Sequence, residues 1–159
     1  MERNMDTIRI ILKIVMWFLI AEFGCNFIMQ TISYSFYKNA KKMADISCTP
    51  QFIQFKDALT GYGNNLNSEN NNKVILFFGG SHYIAYNSVG KYSSKFDYPF
   101  ISVDYYGTQD SSGKMNLKTM KQSAEDLYDW VRDHYPDSEI IIIGHSYGAG
   151  IATYLASVR

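Results

Sequence analysis

Three apolar runs, each followed by a glycine-containing loop, constrain the fold of this chain more than any other feature. They are Val74–Phe78, Phe100–Tyr105 and Ile140–Ile143. Runs rich in β-branched and aromatic residues, bounded by turn signals, are typical of strands that are buried on both faces of a parallel sheet. The sequence therefore predicts three neighbouring parallel strands in the second half of the chain.

Helical patterns separate these runs. The clearest is Thr119–Tyr135, where apolar residues recur on one helical face and Thr119 with Gln122 has the spacing of a capping box. Ser81–Phe96 and Ala149–Val158 are the other two helix candidates. The alternation of strand and helix predicts an α/β fold with a doubly wound, mostly parallel sheet and right-handed crossovers.

The third run leads into a G-x-S-x-G motif, residues Gly144, His145, Ser146, Tyr147 and Gly148. A serine between a buried strand and a helix occupies a sharp, strained turn, and glycines on either side leave room for neighbouring backbone. The helix that follows places free N–H groups and positive potential beside the serine. This context predicts a nucleophile elbow at Ser146, and an ordinary glycine turn with a capping serine is the alternative.

The first run ends in a second glycine loop, which includes Gly79, Gly80, Ser81 and His82. Stabilising an oxyanion beside the elbow needs a second backbone N–H from the loop after this strand. Gly80 is the candidate donor, paired with the backbone N–H of Tyr147. A plain strand-to-helix turn is the alternative for the loop, and His82 is expected to cap or solvate it rather than to act as a base.

Residues 104–113 form a polar loop at the carboxyl end of the second predicted strand, where parallel sheets bind ligands. Asp104 and Asp110 are not assigned as a triad acid. In hydrolases with this elbow the acid follows the serine in chain order.

The order and spacing of these three motifs, from Val74 to Ser157, resemble the N-terminal half of an α/β-hydrolase. Most similar is the branch of serine aminopeptidases and monoacylglycerol-lipase-like proteins, whose loops match VILFFGGS, DYYGTQDSSG and GHSYGAG. By this resemblance Ser146 is the nucleophile, and Gly80 and Tyr147 supply the oxyanion hole. The implied reaction is hydrolysis of an ester, thioester or amide through an acyl-serine.

The chain also departs from that family. Phe78, Tyr106 and Gln109 stand where a histidine, an arginine and a glycine are usual, and only 13 residues follow Ser146. The family places its triad acid and histidine later, so we expect an N-terminal fragment or half of a split enzyme, nearly inert alone. A complementing polypeptide would carry the acid and the histidine. The alternative is a non-catalytic, membrane-tethered binding module that retains a hydrolase half-fold.

The N-terminal part contains an apolar stretch, Ile14–Ile32, with Glu22 as its only charge. Its length fits a bilayer, which predicts a single-pass membrane anchor, although Asn26 and Gln30 add to the cost of Glu22. Basic residues flank both ends, so the orientation stays open. The alternatives are a helix on the membrane surface or against the domain, and a helix that docks a partner. An anchor would favour an acyl or lipid-like substrate.

The predicted organisation has three parts. Residues 1–37 form the apolar helix, 38–72 a linker and weak strand region, and 73–159 the truncated hydrolase domain. Within the linker, Gln51–Leu59 could be an edge strand, and the asparagine-rich segment that begins at Gly61 is expected to be a loop.

Composition narrows the possible functions. The chain has 15 Lys and Arg against 15 Asp and Glu, so bulk charge gives no basis for nucleic-acid binding. Cys25 and Cys48 are expected to be unpaired, and three histidines leave little material for a metal centre. No metal or cofactor is therefore predicted.

Overall fold

The computed structural model describes residues 2–38 and 40–159, and the chain divides into two compact units after Ser35. Helix α1 (Glu2–Lys38) forms the first unit up to Ser35, and its last residues belong to the second unit. Many of its apolar side chains are exposed, with Phe18 and Phe23 at 71% and 77% of their full exposure.

The predicted single-pass anchor is not supported. In the described part of the chain, no helix combines the length and apolar character needed to cross a bilayer. Glu22, Asn26 and Gln30 interrupt the apolar stretch at four-residue spacing, which aligns them on one face of α1. Asn26 also donates a hydrogen bond from its side chain to the Glu22 carbonyl oxygen, 3.0 Å away.

The strands and α-helices of the second unit are β1 (Gln51–Lys56), β2 (Leu59–Asn64), β3 (Lys73–Phe78), α2 (Ala85–Tyr92), β4 (Phe100–Val103), α3 (Leu117–His134), β5 (Glu139–Gly144) and α4 (Tyr147–Val158). The strands form one sheet with order β1-β2-β4-β3-β5. Strands β4, β3 and β5 are parallel and coincide with the three apolar runs, as predicted. Strands β1 and β2 form a hairpin, and β2 pairs antiparallel with β4, so the sheet is mixed, with its parallel strands at the β5 end.

The two crossovers run in opposite directions across the sheet. From β3 the chain passes through α2 to β4 on one side of β3, and then through α3 to β5 on its other side. Because such crossovers are right-handed, this reversal places α2 and α3 on opposite faces. Helix α4 packs beside α3 and against β3 and β5. This is the doubly wound arrangement expected of a partial α/β-hydrolase fold.

Two local predictions were wrong. The segment from Gly61 was predicted as loop, but β2 continues to Asn64. Gly61 is required there because a Cβ on it would lie 2.2 Å from the Ser102 carbonyl oxygen. Helix α3 is capped by Asn116, not by Thr119 with Gln122: the Asn116 side chain accepts from the Thr119 amide, and the Thr119 hydroxyl accepts from the Asn116 amide.

Candidate active site

Ser146 occupies a strained turn between β5 and α4. Its backbone has φ 54° and ψ −124°, in a region that side-chain-bearing residues rarely adopt. The residue is exposed, and its carbonyl oxygen accepts a hydrogen bond of 3.0 Å from the Ala149 amide in the first turn of α4. This is the backbone geometry that the G-x-S-x-G motif predicts.

The glycines of the motif are required by close backbone packing. A Cβ on Gly148 would lie 2.2 Å from the carbonyl oxygen of Phe78 at the end of β3, and one on Gly144 would lie 2.5 Å from the Cα of Ala149. The His145 amide donates a 2.9 Å hydrogen bond to the same Phe78 carbonyl. The turn is therefore held against the end of the neighbouring strand.

The loop after β3 brings Gly80 against Ser146. A Cβ on Gly80 would lie 2.8 Å from the Ser146 Cβ and 3.1 Å from its Oγ. Tyr147 is the first residue of α4, so its N–H group precedes the hydrogen-bond ladder within that helix. The structure thus brings the backbone of Gly80 against Ser146, and the first N–H group of α4 follows Ser146 directly in the chain.

Two buried tyrosines lie beside the loop, and one of them, Tyr105, bonds to its backbone. The hydroxyl of Tyr105 donates a 3.3 Å hydrogen bond to the Gly79 carbonyl oxygen. The hydroxyl of Tyr83 is hydrogen-bonded to that of Ser102, which donates to the Phe77 carbonyl oxygen at 2.7 Å. Burial raises the pKa of both tyrosines well above the usual value, so both hydroxyls stay protonated.

Asp104 supports the same loop from the end of β4. Its Oδ1 accepts a 2.8 Å hydrogen bond from the Ala85 amide at the start of α2, where Ile84 provides no side-chain cap. Its Oδ2 is buried without a hydrogen-bond partner in the described part of the chain. Burial raises the pKa of this carboxyl to about 7, outweighing the hydrogen bond from Ala85, which lowers it.

These supporting residues were not identified from the sequence. Tyr83 falls in a segment assigned only as helix. Asp104 and Tyr105 were assigned to the end of the second apolar run and to the polar loop that follows it, and Asp104 was considered only as a triad acid and not assigned. The sequence did contain a signal for Asp104. An acidic residue directly after a buried strand is costly to bury unless it accepts a hydrogen bond, so its position indicates a hydrogen-bonding role.

Two of the three histidines lie near the glycine loop, and the third lies on α3. His82 and His145 line a cavity of about 190 Å³ whose wall includes Gly79 and Gly80. His134 lies in the last turn of α3, where its ring stacks on that of Trp130 at 3.8 Å between centroids. His145 is adjacent to Ser146 in the chain and is exposed.

Two features together indicate the class of protein. One is the strained serine that follows the parallel strand β5, and the other is the glycine loop that follows the neighbouring strand β3 and lies against this serine. The family model of the alpha/beta hydrolase fold matches residues 77–159, and the chain belongs to this family. The narrower assignment to the aminopeptidase and monoacylglycerol-lipase-like branch stays a prediction.

Individual relatives carry a more specific name. The chain is 27% identical over 149 residues to lysophosphatidylserine lipase ABHD12 of Gallus gallus, covering 82% of this chain and 34% of that protein. It is 36% identical over 77 residues to the Xenopus tropicalis protein of the same name, covering 48% of this chain and 19% of that one. Protein ABHD12B of Homo sapiens is 36% identical over 58 residues, which are 36% of this chain and 16% of that protein. The chain thus spans about a third, at most, of the length of these relatives.

Proposed function

We propose that this chain provides the nucleophile and the oxyanion hole of a serine hydrolase. The observation that carries the proposal is the strained backbone of Ser146 placed directly against Gly80. A strained turn costs about 1–3 kcal/mol and persists where the surrounding structure over-determines it, commonly at functional sites. A serine that merely capped α4 would need no such turn.

The reaction follows from this arrangement. The Ser146 Oγ attacks the substrate carbonyl carbon as its proton passes to a base, and the carbonyl oxygen becomes an oxyanion. The N–H groups of Gly80 and Tyr147 donate hydrogen bonds to that oxyanion. The base then gives this proton to the leaving group, which departs as the tetrahedral intermediate collapses and leaves an acyl-serine. Water attacks the acyl-serine and passes a proton to the base. The acyl group leaves as the carboxylic acid, and the proton returns to the Ser146 Oγ.

We propose that a further stretch of polypeptide supplies the triad acid and histidine. In the described part of the chain, β5 pairs with β3 and occupies one end of the sheet. Its side chains Ile140–Ile143 are only half-buried, unlike the central strands β3 and β4. A strand added beside β5 would satisfy its free edge and cover these isoleucines.

The substrate class is proposed from two features. The relatives are named as lysophosphatidylserine lipases, which suggests an acyl ester of a lipid-like small molecule. The exposed apolar side chains of α1 are suited to contact a membrane surface, where such a substrate would be found. We therefore propose an acyl or lipid-like substrate and a membrane-associated location.

A serine-directed phosphonate probe tests the function. The full chain should label slowly alone, and faster with the part of the Gallus gallus relative that follows the region matched here. Both signals should be lost in Ser146→Ala and kept in the control Ser157→Ala, since Ser157 is an exposed serine of α4.

Two different outcomes would contradict two different parts of the proposal. If Ser146 does not react in either setting, the hydrolase proposal is wrong, and the binding module that retains a hydrolase half-fold is favoured. Fast Ser146-dependent labelling of the chain alone would support the hydrolase and overturn the need for a complementing polypeptide.

A further inference from the structure

We infer that Tyr105 is a positioning residue, whose hydroxyl fixes the orientation of the Gly79–Gly80 peptide so that the Gly80 N–H faces the reacting carbonyl. This inference rests on the proposed function, in which the Gly80 N–H is an oxyanion donor. The inference adds Tyr105 to the proposed site, a residue for which the sequence analysis predicted no role.

The first step of the argument is peptide geometry. The carbonyl of Gly79 and the N–H of Gly80 belong to one peptide unit, and the described chain has no cis peptide bond. In a trans peptide the C=O and N–H bonds point in opposite directions. Fixing one of these groups therefore fixes the other.

The second step is that the Gly79 carbonyl faces the protein interior. It accepts the hydrogen bond from the Tyr105 hydroxyl, and a Cβ on Gly148 would lie 2.6 Å from it. Tyr105 is fully buried, with 0% exposure. The Gly80 N–H consequently points away from the Tyr105 hydroxyl.

The third step is that this loop needs an external constraint. Glycine has no Cβ, so two consecutive glycines permit many peptide orientations, and rotating the plane by half a turn would present a carbonyl to the oxyanion. The Tyr105 ring is itself held by edge contact with Tyr37, at 6.2 Å between centroids, and by Tyr83 at 5.4 Å. Its hydroxyl is thus a rigid donor on a buried scaffold.

Tyr83 provides a matched control. It is buried beside Tyr105, but its hydroxyl bonds to Ser102 and to the Phe77 carbonyl, not to the Gly79–Gly80 peptide. Tyr105→Phe and Tyr83→Phe each remove one buried hydroxyl from the same cluster. Only the first removes the constraint on the peptide that carries the proposed donor.

The experiment measures the peptide directly by NMR on the full, isotope-labelled chain. In the wild type, the Gly80 N–H dipolar coupling should fit a rigid vector directed away from Tyr105. In Tyr105→Phe the Gly79 carbonyl carbon resonance should move upfield and the Gly80 coupling should shrink. In Tyr83→Phe both should stay at the wild-type value.

A second readout is the phosphonylation of Ser146. Tyr105→Phe should slow the chemical step by about tenfold or more, because a misoriented oxyanion donor loses most of its effect, while the apparent affinity for the probe is unchanged. Tyr83→Phe should slow it by less than about threefold.

Each result decides for or against the role of Tyr105. The inference is overturned if the Gly80 N–H coupling of the wild type does not fit a rigid vector directed away from Tyr105. It is also overturned if Tyr105→Phe leaves both NMR signals unchanged, or if Tyr83→Phe alters them as much as Tyr105→Phe does. The wild-type coupling tests the peptide orientation even where a variant fails to fold. If Ser146 reacts with no probe, the hydrolase proposal fails while the NMR signals still decide whether Tyr105 orients the peptide.

Discussion

Tyr106 donates a hydrogen bond of 2.7 Å from its hydroxyl to Oδ2 of Asp126, and so holds the loop after β4 against helix α3. The carboxylate also accepts from the Lys56 ammonium on β1 and from the Gln122 amide one turn earlier on α3. Asp126 is buried, with 5% of its side chain exposed. Three donors from three segments thus compensate the burial of one charge.

This arrangement predicts a pH-dependent cost for Tyr106→Phe. Burial alone would raise the pKa of Asp126, but the hydrogen bonds from Lys56, Tyr106 and Gln122 bring it below its usual range. A lowered pKa gives stability that is present above the ordinary carboxyl pKa and is lost as the pH falls through the folded-state value. At pH 7 the substitution should cost about 1–2 kcal/mol, less than a fully buried bond to a charge because the Tyr106 side chain is partly exposed.

Chemical denaturation of both proteins from pH 7 down through the folded-state pKa of Asp126 checks this. The difference in stability between the two proteins should shrink as the carboxylate is protonated. A penalty that stays the same after the carboxylate is protonated would show that the Tyr106 hydroxyl does not act through the charge of Asp126.

Asp104 predicts the opposite pH dependence. Its pKa is raised to about 7, so between the unfolded value of 3.8 and pH 7 the folded state binds the extra proton. Its stabilising contribution is therefore complete below pH 3.8 and is lost as the pH rises through 7. Between pH 5 and pH 8 this one group should remove about 2–3 kcal/mol from the free energy of unfolding.

The control for Asp104 is Asp104→Asn, whose side-chain oxygen can still accept from the Ala85 amide. Denaturation curves at pH 5, 6, 7 and 8 should show the decline in the wild type and a flatter profile in the variant. The charges that bear on Asp104, Asp110 raising its pKa and Lys42 lowering it, are retained in both proteins. Parallel profiles would mean that Asp104 does not titrate in this range.

The strain at Ser146 predicts a difference between two small substitutions. With φ at 54° and ψ at −124°, alanine would retain the strain, whereas glycine adopts such a conformation at little cost. We expect Ser146→Gly to be more stable than Ser146→Ala by about 1 kcal/mol or more, against the usual preference for alanine over glycine. Thermal and urea unfolding of the two variants measures this, and equal stability would contradict a strained turn.

Much of the sheet could be predicted because its strands differ sharply in composition from their surroundings. The three apolar runs became β3, β4 and β5 within two residues at each end. The convergence of Gly80 and Ser146 was also predictable, since loops at the carboxyl ends of neighbouring parallel strands meet at one edge.

The remaining features depend on packing that no local pattern reveals. Gly61 looks like a loop glycine, but it lies in β2 because the backbone of Ser102 leaves no room for a side chain. Tyr105 and Tyr83 look like ordinary core aromatics, and their importance comes from hydrogen bonds to backbone carbonyls of β3 and the loop after it, up to 26 residues away in the chain. Asn116 caps α3 one turn before Thr119, where the helical periodicity had not yet begun to show.

The close approach of α4 to β3 predicts opposite effects for two alanine substitutions in one helix. A Cβ on Gly148 would lie 2.2 Å from the Phe78 carbonyl oxygen and 2.6 Å from that of Gly79, whereas a Cβ on Gly150 meets nothing within 4 Å. Gly148→Ala must therefore push the helix away from the strand, at a cost of about 1–3 kcal/mol or more. Gly150→Ala should stabilise the chain by about 0.5–1 kcal/mol through its higher helix propensity. Urea unfolding of both variants measures the sign of each change in stability.

In Gly148→Ala, Ser146-dependent probe labelling should also fall, because the serine moves with the first turn of α4 relative to Gly80. A Gly148→Ala protein with wild-type stability and labelling would show that the contact between α4 and the end of β3 does not hold the turn in place.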